Sequence, residues 1–200
     1  YLFVANYSTS NYFGVIVKYD TETLTEVGRL AYYGMVGVTA DHDYLYCLMK
    51  TPLRLATIDP ATVEVIQSIN VNDRIIEGTV VVEDNTPLIV CGRDGLVFRG
   101  KDSWSSSPRL IWISRAQPYW VTVSTFYLAD VYPTGTIFTQ DDRFFSIKQS
   151  SNKSTIERVA ASGKTEMLTF SSNGFSDRLA TTDGQYVYFV GRRNDPPALI

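Results

Sequence analysis

Histidine, cysteine, clustered charge and long apolar runs are all scarce in this 200-residue chain, and each shortage removes a class of function. The single histidine is His42, so any serine–histidine or cysteine–histidine catalysis would depend on that one residue. No G-x-S-x-G elbow, phosphate-binding loop or D-x-D-x-D calcium loop occurs. Two cysteines, Cys47 and Cys91, are too few for a disulfide framework. Lys and Arg total 18 against 21 Asp and Glu, and the longest basic run is the pair Arg192-Arg193. A nucleic-acid partner needs a concentrated basic face to neutralise phosphates, so none is expected. No apolar stretch approaches the roughly 18 residues of a spanning helix, and nothing resembles a secretory h-region. The chain opens on Tyr1, so a processed, trimmed or partial product is expected.

What is present favours strands. Hydrophobic residues make up 44% and charged residues 20%, with 13 Tyr and 10 Phe. That balance suits a folded chain with a sizeable core, and the aromatic and β-branched content suits sheets.

The strongest signal is an internal repeat. One segment type recurs as Tyr1-LFVAN-Tyr7, Tyr44-LYCLM-Lys50, Pro87-LIVCG-Arg93, Arg143-FFSIK-Gln149 and Tyr186-VYFVG-Arg192. The starts are 43, 43, 56 and 43 residues apart, so a constant period is broken by one 13-residue insertion. Ahead of each later copy lies a short apolar stretch and a polar turn: Val36-GVTADHD-Tyr44, Val80-VVEDNT-Pro87, Ile137-FTQDD-Arg143 and Leu179-ATTDGQ-Tyr186. Asp, Asn and Gly at such positions close tight hairpins. After each copy comes strand, turn, strand, as in Val15-IVKYDTETLTEVGR-Leu30 and Leu55-ATIDPATVEVIQS-Ile69. Both carry an aspartate ahead of the turn, Asp20 and Asp59.

Four short antiparallel strands every 43 residues are the pattern of a β-propeller blade. The expected fold is therefore all-β, a propeller of four-stranded blades, with four to five blades present. Repeats are placed at about 1–34, 35–76, 77–114, 134–176 and 177–200, with the insertion at about 115–133. A sandwich would not keep a fixed period, and helical solenoids need a 3.6-residue periodicity that is missing. Residues 1–30 supply the second, third and fourth strands of a blade without a first, and residues 177–200 lack a fourth. That phase predicts an incomplete ring, belonging to a longer propeller or completed by another chain.

The residues Phe3-VANY, Asp20-TETL, Asp59-PATV and Thr182-DG resemble the YVTN-type β-propeller repeat. The resemblance runs along the whole chain and is poorest in the middle repeat. It implies a fold more than an activity, since such proteins include surface-layer and extracellular binders, lactonase-like enzymes and quinoprotein relatives.

Candidate sites follow from the repeat. The insertion, within Ser114-RAQPYWVTVSTFYLADVY-Pro133, carries Tyr119, Trp120, Phe126, Tyr127 and Tyr132, large amphipathic side chains of the kind that binding surfaces favour. Alternation across Trp120–Tyr127 predicts an added strand there. Packing of the same aromatics onto the blade beneath is the competing reading. Arg93 and Arg192 share a repeat position, with Lys50 between them in kind, so a ring of cations facing an anionic ligand is conceivable. Asn6-Tyr-Ser8 and Asn152-Lys-Ser154 are N-glycosylation triplets. His42 lies between Asp41 and Asp43 on one turn, which cannot close a tetrahedral metal site, and a solvated turn is expected. Asp141 and Asp142 are adjacent, so in a strand they point to opposite faces and cannot share a substrate. The cysteines fall one register apart in neighbouring repeats, on opposite faces, and are expected to be buried free thiols.

These features favour a non-enzymatic binding or assembly module at the cell surface or outside the cell. Its partner is expected to be a protein or a second copy, contacted through rim loops. No cofactor, metal or catalytic residue is expected, and no small-molecule ligand is identifiable. The alternatives are a lactonase-like or other hydrolase with its site in the central channel, and a structural subunit of a filament or coat.

Overall fold

A computed structural model describes residues 1–7, 13–74, 79–82, 89–92, 95–102, 108–114, 122–127, 137–140, 143–149, 153–160, 163–171, 176–182, 186–192 and 197–199. Within them, antiparallel strands form five sheets in chain order. Sheet I holds β1 (Leu2–Tyr7), β2 (Phe13–Tyr19) and β3 (Glu26–Tyr33). Sheet II holds β4 (Met35–Ala40), β5 (Leu45–Met49), β6 (Arg54–Asp59) and β7 (Glu64–Asn70). Sheet III holds β8 (Val80–Val81), β9 (Ile89–Gly92), β10 (Gly95–Asp102), β11 (Pro108–Ser114) and β12 (Thr122–Tyr127). Sheet IV holds β13 (Ile137–Gln140), β14 (Arg143–Gln149), β15 (Lys153–Ala160) and β16 (Gly163–Ser171). Sheet V holds β17 (Ser176–Thr182), β18 (Val187–Arg192) and β19 (Pro197–Leu199).

The sheets meet through their first strands. β4 packs beside β1 and β2, β9 beside β4, β13 beside β9, and β17 beside β13. β4, β9, β13 and β17 therefore line the axis and the strands after each radiate outward. Among the described residues, no packing of comparable extent joins sheet V to sheet I, and the ring is open.

Burial explains the strand sequences. β5 is buried at every position, Leu45 through Met49, because sheets cover both of its faces. A strand covered twice reads as a continuous apolar run. Leu45, Cys47 and Met49 join Ala56, Ile58 and Met35 in a cluster with Ile16, Phe3, Leu30 and Tyr32 of sheet I. Tyr46 and Leu48 turn the other way and join Leu55, Ile69 and Val71 against Ile89, Leu96, Phe98, Ile111 and Ile113 of sheet III. β2, by contrast, alternates, with Gly14, Ile16 and Lys18 buried, Val15, Val17 and Tyr19 half-buried and Phe13 exposed.

Lys18 is the polar member of the first interface, only 5% exposed. Its Nζ donates to the Ala61 carbonyl at 2.8 Å and sits 4.0 Å from the Tyr1 ring centroid. The stem packs between sheets while the ammonium finds an acceptor and an aromatic face. Close approach also requires Gly14, since a Cβ there would run into the Met35 side chain. The link from sheet I to sheet II is the single residue Gly34, at φ +84°, whose carbonyl accepts the Lys50 N–H at 2.7 Å.

The third sheet departs from the repeat. The segment Pro87–Arg93 is expected as a second strand, but its described part, β9, is the axial strand, pairing Leu96 with Cys91 and Val97 with Val90. β8 pairs farther along the same edge of β10, at Lys101 and Asp102. β10 and β11 follow, and β12 completes the meander on the outside, with Leu110 opposite Phe126. The physical reason is that an inserted outer strand lets the preceding ones each take the place one step inward. Inner places are covered on both faces, so a short apolar strand satisfies either of them.

The β2–β3 turn of sheet I and the β6–β7 turn of sheet II share one design. In the first, Asp20 Oδ1 accepts the N–H groups of Glu22 and Thr23 at 2.9 Å each, and the Leu24 N–H bonds the Asp20 carbonyl at 2.9 Å. In the second, Asp59 Oδ1 accepts the Ala61 N–H at 2.7 Å and its carbonyl the Val63 N–H at 2.8 Å. Both designs put a non-glycine residue in the left-handed region, Leu24 at φ 55° and Val63 at φ 59°. Val63 is buried, which offsets the strain, whereas Leu24 is 71% exposed. Leu24→Asn, which tolerates that conformation, is expected to stabilise the chain by up to about 1 kcal/mol in urea unfolding. A loss of stability would instead assign Leu24 a packing role.

Candidate functional site

The aromatic insertion is anchored by β12. Thr122–Tyr127 pairs with Pro108–Ser114 over six residues, Arg109 opposite Tyr127 and Ser114 opposite Thr122. Phe126 and Tyr127 thus lie on the outermost strand of sheet III, not near the axis. Tyr119, Trp120 and Tyr132 fall outside the described residues.

Two of the three cations of the expected ring, Lys50 and Arg192, are described residues. Lys50 follows β5 and Arg192 ends β18, both second strands, while Arg93, outside the described residues, follows the axial strand β9 in sequence. Asn6 is exposed in the middle of a ladder, opposite Val15, and Asn152 lies outside the described residues. Asp141 and Asp142 lie outside them too.

The His42 turn is held by its neighbour. Asp41 Oδ1 accepts the N–H groups of Asp43 at 2.8 Å and Tyr44 at 2.7 Å, and Oδ2 accepts the hydroxyl of buried Tyr46 at 2.7 Å. Asp41 therefore serves the fold, satisfying turn amides and a core phenol. The His42 side chain is 99% exposed, with Nδ1 3.1 Å from Asp43 Oδ1. Among the described residues, no group of three or more His, Cys, Asp or Glu side chains is placed to hold a metal ion. No helix among them is long and apolar enough to cross a membrane.

The titration shifts have structural causes. The Thr23 N–H, the Thr23 hydroxyl and the Glu22 N–H hold the Asp20 carboxyl below its ordinary range. Arg29 and Glu26, bonded at 2.7 Å on the exposed β3, lower the carboxylate and raise the guanidinium. Burial pushes the Cys47 thiol up to about 12. Both cysteines are free. Cys91 is only partly buried, a correction to the expectation that both are enclosed, because it sits at the margin of the second interface.

One feature escapes a motif search altogether. Leu2 and Val4 of β1 are 50% and 43% exposed, side by side on one face of sheet I. Composition rules assign such residues to a core, and only alignment of the repeats singles them out.

No family model and no curated protein matches the chain. Solved structures do. The Dos1 propeller superposes with a TM-score of 0.55 at 14% identity, over 100% of this chain and 55% of that one. KlAtg21, solved in complex with the coiled coil of AgAtg16, gives 0.52 at 10%, over 91% and 61%. The dihydro-heme d1 dehydrogenase NirN, solved in complex with DHE, gives 0.50 at 12%, over 94% and 50%. At these identities the likeness establishes fold alone, which is a β-propeller with an incomplete ring. The chain spans about half to three fifths of the length of those structures.

The two thiols supply a direct check on the sheet assignment. In the folded protein at pH 8, Cys91 is expected to react with a maleimide ahead of Cys47, whose labelling should await unfolding. Equal rates, followed by mass spectrometry, would place Cys47 outside the first interface.

Proposed function

We propose that this chain is part of a non-enzymatic β-propeller that binds a protein partner, at the cell surface or outside the cell. The observation that carries the reading is β12. It pairs part of the aromatic insertion with the scaffold as an outer strand carrying Phe126 and Tyr127, and Tyr119, Trp120 and Tyr132 flank that strand in sequence. Large aromatics held on a stiff frame make contact area at little entropic cost. A propeller of similar fold has been solved with a coiled coil as its partner, which shows that the architecture serves this use. The YVTN-type repeat is the family we assign, on the residues Phe3-VANY, Asp20-TETL and Asp59-PATV. Arg93 and Arg192 would contribute charge at the rim, and Asn152 is the glycan acceptor this proposal retains.

The test replaces Tyr119 and Trp120 together by Ala. Partner capture in cross-linking mass spectrometry at the cell surface is expected to fall at least about tenfold, as for paired aromatic hot spots. The circular dichroism of the sheets and the melting temperature should stay unchanged. Loss of folding would assign both side chains to packing, and a detectable hydrolase activity would favour a channel site.

A further inference from the structure

The two rims of the sheet array carry opposite charge. Neighbouring strands are antiparallel, so successive turns alternate between the rims. One rim holds the β5–β6 turn together with the links on either side of sheet II. There the Lys50 N–H donates to the Gly34 carbonyl at 2.7 Å, and the Val71 N–H to the Leu53 carbonyl at 2.9 Å. Strand ends at this rim bear cations in sheet after sheet. Lys50 and Arg54 lie in sheet II, Lys101 in sheet III, Lys148 and Lys153 in sheet IV, and Arg192 in sheet V. Lys101 takes the place in sheet III that the repeat suggests for Arg93, because β10 is the second strand there. Among the described residues, Asp102 is the carboxylate at these turns. The links between sheets add Asp73 beside Arg74 and Asp177 beside Arg178, which offset each other.

In sheets I and II the opposite rim is acidic. The β2–β3, β4–β5 and β6–β7 turns carry Asp20 and Glu22, Asp41 and Asp43, and Asp59 with Glu64 just beyond it. Glu26 is ion-paired with Arg29, and in sheet IV the same rim carries Arg143 and Lys164. Among the described residues, Glu22 and Glu64 here and Arg54 on the basic rim have no ion-pair partner. Each rim also exposes apolar side chains. Leu24, 71% exposed in the β2–β3 turn, and Tyr44 stand among the carboxylates. Phe13 and Tyr33, paired across β2 and β3 and 47% and 64% exposed, stand at the basic rim. Apolar contacts within a charged surround are the composition of a protein interface.

We propose that the basic rim docks the acidic rim of a second copy of this chain, head to tail along the axis. Spacing selects this occupant. The carboxylates come about two to a turn in successive sheets, as the cations do, so the two patterns share one repeat. A nucleic-acid duplex instead presents a charge about every 1.7 Å, far denser than cations spread one or two to a sheet. Complementary charges of this kind set orientation and speed encounter, while Leu24, Tyr44, Phe13 and Tyr33 supply apolar contact. The two surfaces differ, so the contact is heterologous, and each pair keeps one free rim of either sign for further copies. The aromatic insertion takes no part in it.

Sedimentation velocity of the 200-residue chain tests the proposal. Self-association is expected at about 0.02 M salt and should weaken at least about tenfold at about 0.3 M, where exposed charges are screened. Lys50→Glu with Arg54→Glu on one rim, and Glu22→Lys with Glu64→Lys on the other, should each leave a monomer with the parent's circular dichroism. An equimolar mixture of the two variants should associate again, because the first retains the acidic rim and the second the basic one. Tyr119→Ala with Trp120→Ala should associate as the parent does, which separates this contact from the partner proposed above. A parent chain that stays monomeric at about 0.02 M salt up to about 1 mM overturns the proposal. Association indifferent to salt, or a variant mixture that remains monomeric, does so too. Binding to phosphatidylserine-containing vesicles without self-association would give the basic rim to a membrane instead.

Discussion

Face-to-face burial between neighbouring sheets is the constraint on which everything else in this molecule rests. β5 shows it most plainly. Its alternate side chains are divided between two interfaces, Leu45, Cys47 and Met49 toward sheet I and Tyr46 and Leu48 toward sheet III. Each fully buried aliphatic among them contributes about 1.5–3 kcal/mol, and much of that is lost if a neighbour is removed. A sheet of three or four short strands cannot bury both faces alone, so stability here belongs to interfaces more than to individual sheets.

The polar details serve the same end. Asp41 satisfies two turn amides and the hydroxyl of Tyr46, which lets a phenol lie in the core. Lys18 crosses the first interface to the carbonyl of Ala61, tying the body of sheet I to the outer turn of sheet II. Asp20 and Asp59 close hairpins without glycine, at the expense of a left-handed Leu24 and Val63. With the frame held this way, segments attached to it are displayed in fixed positions. That is why the anchoring of the aromatic insertion by β12 matters for the proposed role.

Much of the architecture was legible because a 43-residue period leaves few folds to choose from. The strand at Thr122–Tyr127 could be read from alternation, and the three-strand composition of the two end sheets from the phase of the repeat. The axial place of β9 could not, because Ile89–Gly92 is apolar throughout and suits any position covered on both faces. The turn rules also missed Leu24 and Val63. Glycine or asparagine is the usual occupant of φ > 0, whereas here the aspartate cap and, for Val63, burial offset the strain. Cys91 lies nearer the margin of its interface than spacing along the chain can reveal. The candidate site was legible as composition only, since an aromatic-rich insertion does not disclose which side chains face outward.

Native-state hydrogen exchange tests the dependence of each sheet on its neighbours most directly. The amides of β5, between two sheets, should exchange only through global unfolding, with an opening free energy equal to that from urea denaturation. Those at the free edge of β1 should exchange at much lower cost. If β5 opened on its own, or if sheet I exchanged as slowly as sheet II, stacking would not be what holds this protein together.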